Sequence, residues 1–287
     1  MTTIGAVFTP SLPPERLRAV ARTADSAGLD ELWLWEDCFR EGGVSSAAAA
    51  LAWTDRLRVG VGVFPVPLRN VALAAMEIAT LDRMFPGRAI AGIGHGVQSW
   101  MEQVGAKPAS PLTLLREYAT ALRSLLAGER LTVHGRYVRL TDVALDWPPA
   151  STPAVHAAAS GPRTLRLTGE IADGTVLTGG SPPDAVRAAA ALIADGQRVA
   201  GRTDPHHITV YLPVAIGPDA AEQLRTNAEY YGESDLFGAG GDPPAVADAV
   251  RALADAGATA VILQPVLDAD PESFVRFVAD EVRPLID

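Results

Sequence analysis

Cysteine is nearly absent from this chain. Of 287 residues only Cys38 carries a thiol, so no internal disulfide can form, which suits a reducing cytoplasm. Lysine is as scarce: Lys107 stands alone among 24 basic residues, against 34 acidic ones. The formal net charge of -10 leaves no general basic face, and both nucleic acid and an anionic membrane surface require one. A local arginine cluster can still hold a small anion. No window of about 18 uninterrupted apolar residues occurs, so no transmembrane helix is expected. The opening "MTTIGAVFTP" lacks the basic and long apolar regions of a signal peptide. The P-loop, nucleophile-elbow and H-E-x-x-H patterns are missing as well. The five histidines are scattered, and no metal site is expected.

What is present is alternation. Eight short β-rich runs lie near Ile4–Phe8, Glu31–Trp35, Leu57–Phe64, Ala89–Gly94, Pro153–Ala158, Gly174–Thr178, Ile208–Ala215 and Thr259–Leu263. Most are continuously apolar, as parallel strands buried on both faces are. Helical stretches fill the gaps. The first, about Pro13–Ala27, puts Leu17, Val20, Ala21 and Ala24 on one face, with Gly28 as its stop. A second opens at Asn70 and carries Leu73, Met76 and Leu81. Four more share an N-cap residue followed by proline: Ser110–Pro111, Ser181–Pro182, Asp242–Pro243 and Asp270–Pro271. Eight β-then-α units in a chain of this length predict the α/β class and a (β/α)₈ TIM barrel, a single domain over 1–287. A doubly wound open sheet is the rival, but it places a Gly-rich turn after its first strand, and here "TPSLPPE" follows. Residues 128–152, with a hairpin around His134–Gly135, read as an insertion between units four and five.

In such a barrel the site lies at the C-terminal strand ends. After strand two come the adjacent carboxylates Glu36 and Asp37. Neighbours in extended chain point opposite ways, so one is expected to face the pocket, as a general acid or ligand anchor. The plainer alternative is a salt bridge to an arginine at the rim. Cys38, with no activating histidine nearby in sequence, reads as packing. Strand four opens into "GIGHG". Its spacing is not that of a dinucleotide fingerprint, and its glycines read as slimming the barrel mouth for a flat ligand. His95 is there either to donate a hydrogen bond or proton to that ligand or as an ordinary structural histidine. After strands five and six come "SGPRT" and "TGG". A small-residue turn entering a helix at Pro162 offers free N–H groups and a positive dipole end to an anion, with Arg163 and Arg166 in the first turns. Each stretch alone also fits a simple tight turn; together, after adjacent strands, they favour a phosphate.

These pieces, "VGVGVFPVPLRNVALAAMEIATLDRMFPGR", "AGIGHGVQSWMEQVG", "AASGPRTLRLTGEIADG" and "ADAGATAVILQP", resemble the luciferase-like flavin oxidoreductase superfamily, and within it the branch that uses the deazaflavin coenzyme F420. The resemblance covers almost the whole chain. It implies a (β/α)₈ barrel with an insertion, a homodimer, a small-molecule substrate, and F420 as cofactor, with FMN as the alternative. It places the cofactor's ring beside a cis-peptide bulge at Gly62–Val63 and beside His95 and Gly96. It places the ribityl phosphate region at Ser160, Gly161, Pro162 and Arg163 and at Thr178, Gly179 and Gly180. The implied reaction is hydride transfer between the deazaflavin and a small organic substrate, such as reduction of a C=C or C=N bond in specialised metabolism, with Glu36, Asp37 or His95 as the acid. Sugar-phosphate dehydrogenases of this branch carry a histidine and a tryptophan after strand two and a glutamate after strand four. Cys38, Gly42 and Val97 stand there instead, which argues against that reaction. An FMN monooxygenase on the same barrel and a non-catalytic flavin-binding barrel are the rival functions.

Overall fold

The computed structural model describes residues 2–232 and 236–286. Its strands are β1 (Thr3–Phe8), β2 (Glu31–Leu34), β3 (Arg58–Pro65), β4 (Ala89–Gly94), β5 (Leu131–His134), β6 (Arg139–Val143), β7 (Val155–Ala158), β8 (Gly174–Leu177), β9 (His207–Ile216), β10 (Ala239–Gly241) and β11 (Ala260–Pro265). Its helices are α1 (Leu17–Ser26), α2 (Gly43–Ala52), α3 (Val71–Met84), α4 (Gln98–Gln103), α5 (Pro111–Leu126), α6 (Pro162–Ile171), α7 (Pro183–Val199), α8 (Ala220–Tyr231), α9 (Pro243–Asp255) and α10 (Pro271–Arg276). Eight strands pair in parallel in the order β1-β2-β3-β4-β7-β8-β9-β11, and β11 returns to β1. The ring is closed, so the architecture is the TIM barrel and the open-sheet alternative is excluded. The short β10 adds in parallel outside β9. The antiparallel pair β5–β6 sits between the fourth and fifth barrel strands.

Two cores result. One lies between the ring and the helices; the other fills the barrel with Val7, Trp33, Ile90, Val176, Tyr211 and Ile262. Trp33 is fully buried, and it fits because β3 faces it with glycine. A Cβ on Gly60 would stand 2.5 Å from the indole, and one on Gly62 would stand 1.9 Å from the Tyr211 hydroxyl. Large and small residues thus interdigitate across the barrel. Below, Trp33 Nε1 donates to Glu31 at 2.7 Å and Arg58 pairs with the same carboxylate at 2.8 Å.

Helix entries follow the sequence reading in part. The side chains of Asn70, Asp242 and Asp270 accept from the backbone N–H groups of Ala72, Ala245 and Ser273. Ser110 makes no such bond; its hydroxyl meets Thr113 Oγ1 at 2.8 Å instead. Ser181 is also displaced, because α7 opens at Pro183 with Pro182 as its N-cap. A residue that precedes proline is driven out of the helical region, so the second proline delays the helix. On α3 the buried face is Val71, Ala74, Ala75, Ile78 and Leu81, while Leu73 and Met76 are exposed. Among the described residues no helix is long and apolar enough to cross a membrane.

Candidate active site

The C-terminal strand ends surround a cleft of 570 Å³, within the roughly 300–1,000 Å³ usual for small-molecule sites. The irregularity that shapes its floor is in β3. The β3–β4 register slips between Val61 and Phe64, and the Gly62–Val63 peptide is cis, where the resemblance places it. The Cys38–Phe39 peptide is cis too, which the sequence reading does not contain. Tyr211 donates from Oη toward the Gly62 carbonyl at 3.4 Å. Val63 is turned into the cleft. The glycines of "GIGHG" make room for this bulge. A Cβ on Gly92 would lie 2.5 Å from the Val61 carbonyl oxygen, and one on Gly94 2.6 Å from Val63 Cγ2. Gly92 and Gly94 therefore accept protein rather than ligand, which corrects the expectation that they slim the mouth. Gly96 does line the cleft, at φ +67.

Glu36 and Asp37 both reach the cleft but are differently occupied. Arg69 clasps Glu36 with two nitrogens, at 2.5 and 3.1 Å, and the Gly43 N–H donates to it at 2.7 Å. Arg69 also pairs with Glu77. Burial acts against the Arg69 cation, but the two carboxylates outweigh it and raise its pKa. Glu36 is therefore the salt bridge to a rim arginine that the sequence left open. Asp37 makes no ion pair and no side-chain hydrogen bond among the described residues. Burial pushes its carboxyl above the ordinary range, with Arg40 opposing. Arg40 spends its own donors elsewhere, on the Pro10 carbonyl and the Tyr230 hydroxyl. Burial likewise raises the Cys38 thiol, and the charges of Glu36 and Asp37 add to it. A thiol so placed stays protonated and is a poor nucleophile.

His95 lies at the cleft wall, half-buried, with Nε2 3.4 Å from Thr164 Oγ1. Burial lowers its pKa, so the ring is neutral near pH 7 and offers one N–H donor. Its segment is braced by Gln98, whose amide donates to the His95 and Gly96 carbonyls at 3.1 and 3.2 Å.

The end of the cleft expected to take an anion is built from two loops. Ser160, Thr164, Thr178 and Gly179 line the cleft. Gly161 is the N-cap of α6 and supplies no side-chain cap, so the first N–H groups of that helix stay free. Arg163 is exposed one residue beyond Pro162 and pairs with no carboxylate among the described residues. Arg166 turns away and pairs with Asp195 on α7 at 3.2 Å, so it does not serve this end. Gly180 is also spent on protein: its N–H donates to the Tyr211 carbonyl and its carbonyl accepts from Phe237.

Several cleft residues lie outside the sequence reading. Trp35, Tyr211 and Tyr231 form an aromatic row, Tyr211 at 5.6 Å and Tyr231 at 6.3 Å from Trp35, and Trp100 lines the same cleft. Gln264 closes the floor, with its amide oxygen 3.2 Å from where a Gly179 Cβ would stand. Period-2 alternation along β9 puts Tyr211 inside the barrel, a signal the apolar run alone conceals. Among the described residues no three His, Cys, Asp or Glu side chains converge as a metal site.

Comparison with known proteins agrees with the fold. The chain is 33% identical over 223 residues to the 5,10-methylenetetrahydromethanopterin reductase of Methanolobus tindarius, covering 77% of this chain and 67% of that one. It is 30% identical over 226 residues to an F420-dependent glucose-6-phosphate dehydrogenase of Kineococcus radiotolerans, covering 74% and 67%. The solved coenzyme F420-dependent tetrahydromethanopterin reductase from Methanopyrus kandleri superposes with a TM-score of 0.85 at 22% identity, over 100% of this chain and 99% of that one. The family model for luciferase-like monooxygenases matches residues 2–261, and the chain belongs to that family.

Proposed function

We propose that this protein is an F420-dependent oxidoreductase that moves a hydride between the deazaflavin and a small organic substrate. The carrying observation is one cleft that unites a bulged β3 floor, a neutral His95 and an unclaimed helix N-terminus, in a chain similar to an F420-dependent glucose-6-phosphate dehydrogenase and to a coenzyme F420-dependent tetrahydromethanopterin reductase. The residues fit the group: uncapped N–H groups, Ser160 and Thr178 hydroxyls and the Arg163 cation suit an anionic tail. The bound deazaflavin would supply a carbon that gives or takes a hydride.

The chain's own residues do the rest. Val63 and Gly96 give the ring a supporting surface. His95 donates a hydrogen bond from its neutral ring. Trp35, Trp100 and Tyr231 exclude water from the substrate side, which orients reactants and strengthens every polar contact there. Asp37, protonated more readily than an ordinary carboxyl, holds the exchangeable proton. Glu36 fixes the β2 loop through Arg69 and is not assigned a proton. A homodimer is part of this reading, supported by the exposed Leu73, Met76 and Met84 on α3; so is a cytoplasmic setting.

Spectroscopic titration tests the function. The oxidised deazaflavin is expected to bind and FMN to bind far more weakly, with Arg163→Ala weakening the deazaflavin about ten-fold. Tight FMN binding with none of the deazaflavin would overturn the reading in favour of a flavin monooxygenase.

A further inference from the structure

Half of the readily oxidised rings of this chain stand in one row. There are five tryptophans and five tyrosines. Trp33, Tyr211, Trp35, Tyr231 and Tyr230 follow one another with centroids 5.9, 5.6, 6.3 and 5.0 Å apart. Centroids about 4.5–7 Å apart bring ring against ring, the separation at which single electrons pass readily. Trp33 is fully buried in the barrel, and Tyr230, at the other end, is 55% exposed. Between them Trp35 and Tyr231 line the cleft. The two directions away from Trp35 are not equivalent, because a tyrosine yields an electron easily only when its phenolic proton can leave too. Tyr211 is buried and its hydroxyl faces the Gly62 carbonyl at 3.4 Å, which is no base; burial also pushes its pKa far up. The inward branch is closed. Outward, Tyr231 abuts Tyr230, whose hydroxyl accepts from Arg40 at 3.4 Å and stands in reach of water. Trp100 also lines the cleft, but it has no ring neighbour among the described residues.

We infer that Trp35, Tyr231 and Tyr230 form a wire from the cleft to the surface, through which the illuminated protein draws single electrons from an outside thiol. This is a second activity beside hydride transfer, and it rests on the deazaflavin binding proposed above. The oxidant is the oxidised deazaflavin excited by light, and the reductant is the thiol. Trp35 gives up one electron to that oxidant and is left as a radical cation. Tyr231 returns an electron to Trp35 and releases its phenolic proton to water. Tyr230 restores Tyr231 with an electron and a proton, and the thiol restores Tyr230 in the same way. Each event thus takes one electron and one proton from the thiol, puts the electron on the deazaflavin and the proton in water, and leaves the rings unchanged. The thiyl radicals pair as a disulfide.

Flash photolysis of the protein loaded with oxidised F420, in the absence of oxygen, reads the wire directly. In the wild type a tryptophanyl radical absorption is expected to give way to a tyrosyl one. Tyr231→Phe should lose the tyrosyl signal, because phenylalanine keeps the ring but is not oxidised, and the tryptophanyl signal should then decay by recombination. Tyr230→Phe should keep a tyrosyl signal that reacts more slowly with added mercaptoethanol. Tyr230 does not line the cleft, so this variant should bind F420 as the wild type does. Trp100→Phe should leave the tyrosyl signal in place. Under continuous light mercaptoethanol should bleach the bound F420, and Tyr231→Phe should lose that bleaching. Absence of a tyrosyl signal in the wild type, an undiminished one in Tyr231→Phe, its loss in Trp100→Phe, or an unchanged thiol reaction in Tyr230→Phe overturns the wire alone. Failure of F420 to bind overturns the underlying function and the wire with it.

Discussion

Asp173 shows how much a single side chain can hold. Its carboxylate accepts from the Val155 N–H at 3.0 Å, from Arg123 at 2.7 Å and from Arg202 at 2.8 Å, tying β7 to α5 and to the loop after α7. Burial works to raise its pKa, but the Val155 N–H and the two guanidiniums prevail and hold it below the ordinary range. A folded pKa below the unfolded one stabilises above the unfolded value, and that contribution is lost as pH falls through the folded one. Asp173→Asn is therefore expected to cost about 1–3 kcal/mol near neutrality, measured by urea unfolding, with the gap to wild type closing in acid. A gap that stays constant with pH would show that the charge is not what matters. Nothing in "GEIADG" singles out Asp173, because its partners are spread along the chain. The Glu36–Asp37 pair illustrates the same limit. Two carboxylates at a strand end are visible in sequence, but which one is free depends on where Arg69 lands.

Elements obey their own rules, and some of those are local. Three N-caps, at Asn70, Asp242 and Asp270, are legible because the cap bonds only two or three residues ahead. The α6–α7 contact is not local. A Cβ on Gly169 would lie 2.0 Å from the Ile193 carbonyl oxygen, and one on Gly196 1.9 Å from the Arg166 carbonyl oxygen. The two helices therefore meet backbone to backbone through small residues. Gly169→Ala or Gly196→Ala is expected to destabilise by about 1–3 kcal/mol or more through overpacking, although alanine has the better helix propensity. Thermal denaturation checks this; a rise in Tm would mean the helices are free to separate. The alanine-rich α2, "GVSSAAAALA", and the three-residue β10 escape the sequence reading because neither carries a contrast between apolar and polar faces. On α3 the contrast is equally weak, and Leu73 and Met76 are exposed, because its buried face is set by the strands beneath it.

For the whole molecule, a ligand seated on the rim touches loops that follow several different strands, so binding should be linked to global stability. Deazaflavin at about a hundred times its Kd is expected to add roughly 2.7 kcal/mol, a rise in Tm of about 4–8 °C, and Arg163→Ala should reduce the rise at fixed ligand concentration. An unchanged Tm at saturating ligand would place the cofactor elsewhere. Eight apolar runs separated by helices determined the parallel α/β class by themselves and favoured the barrel, since parallel strands must be buried on both faces; closure of β11 onto β1 excluded the open sheet. The turn residues likewise marked out the candidate anion end, because a small-residue entry to a helix offers open N–H groups. The tertiary structure alone decided that Gly92 and Gly94 accommodate the β3 bulge, that Arg166 faces Asp195, that Tyr211 and Gln264 enter the cleft, and that Asp37 is the carboxylate left without a partner. Each of these depends on contacts between residues far apart in the chain, and a linear pattern holds no information about which distant group neutralises a charge.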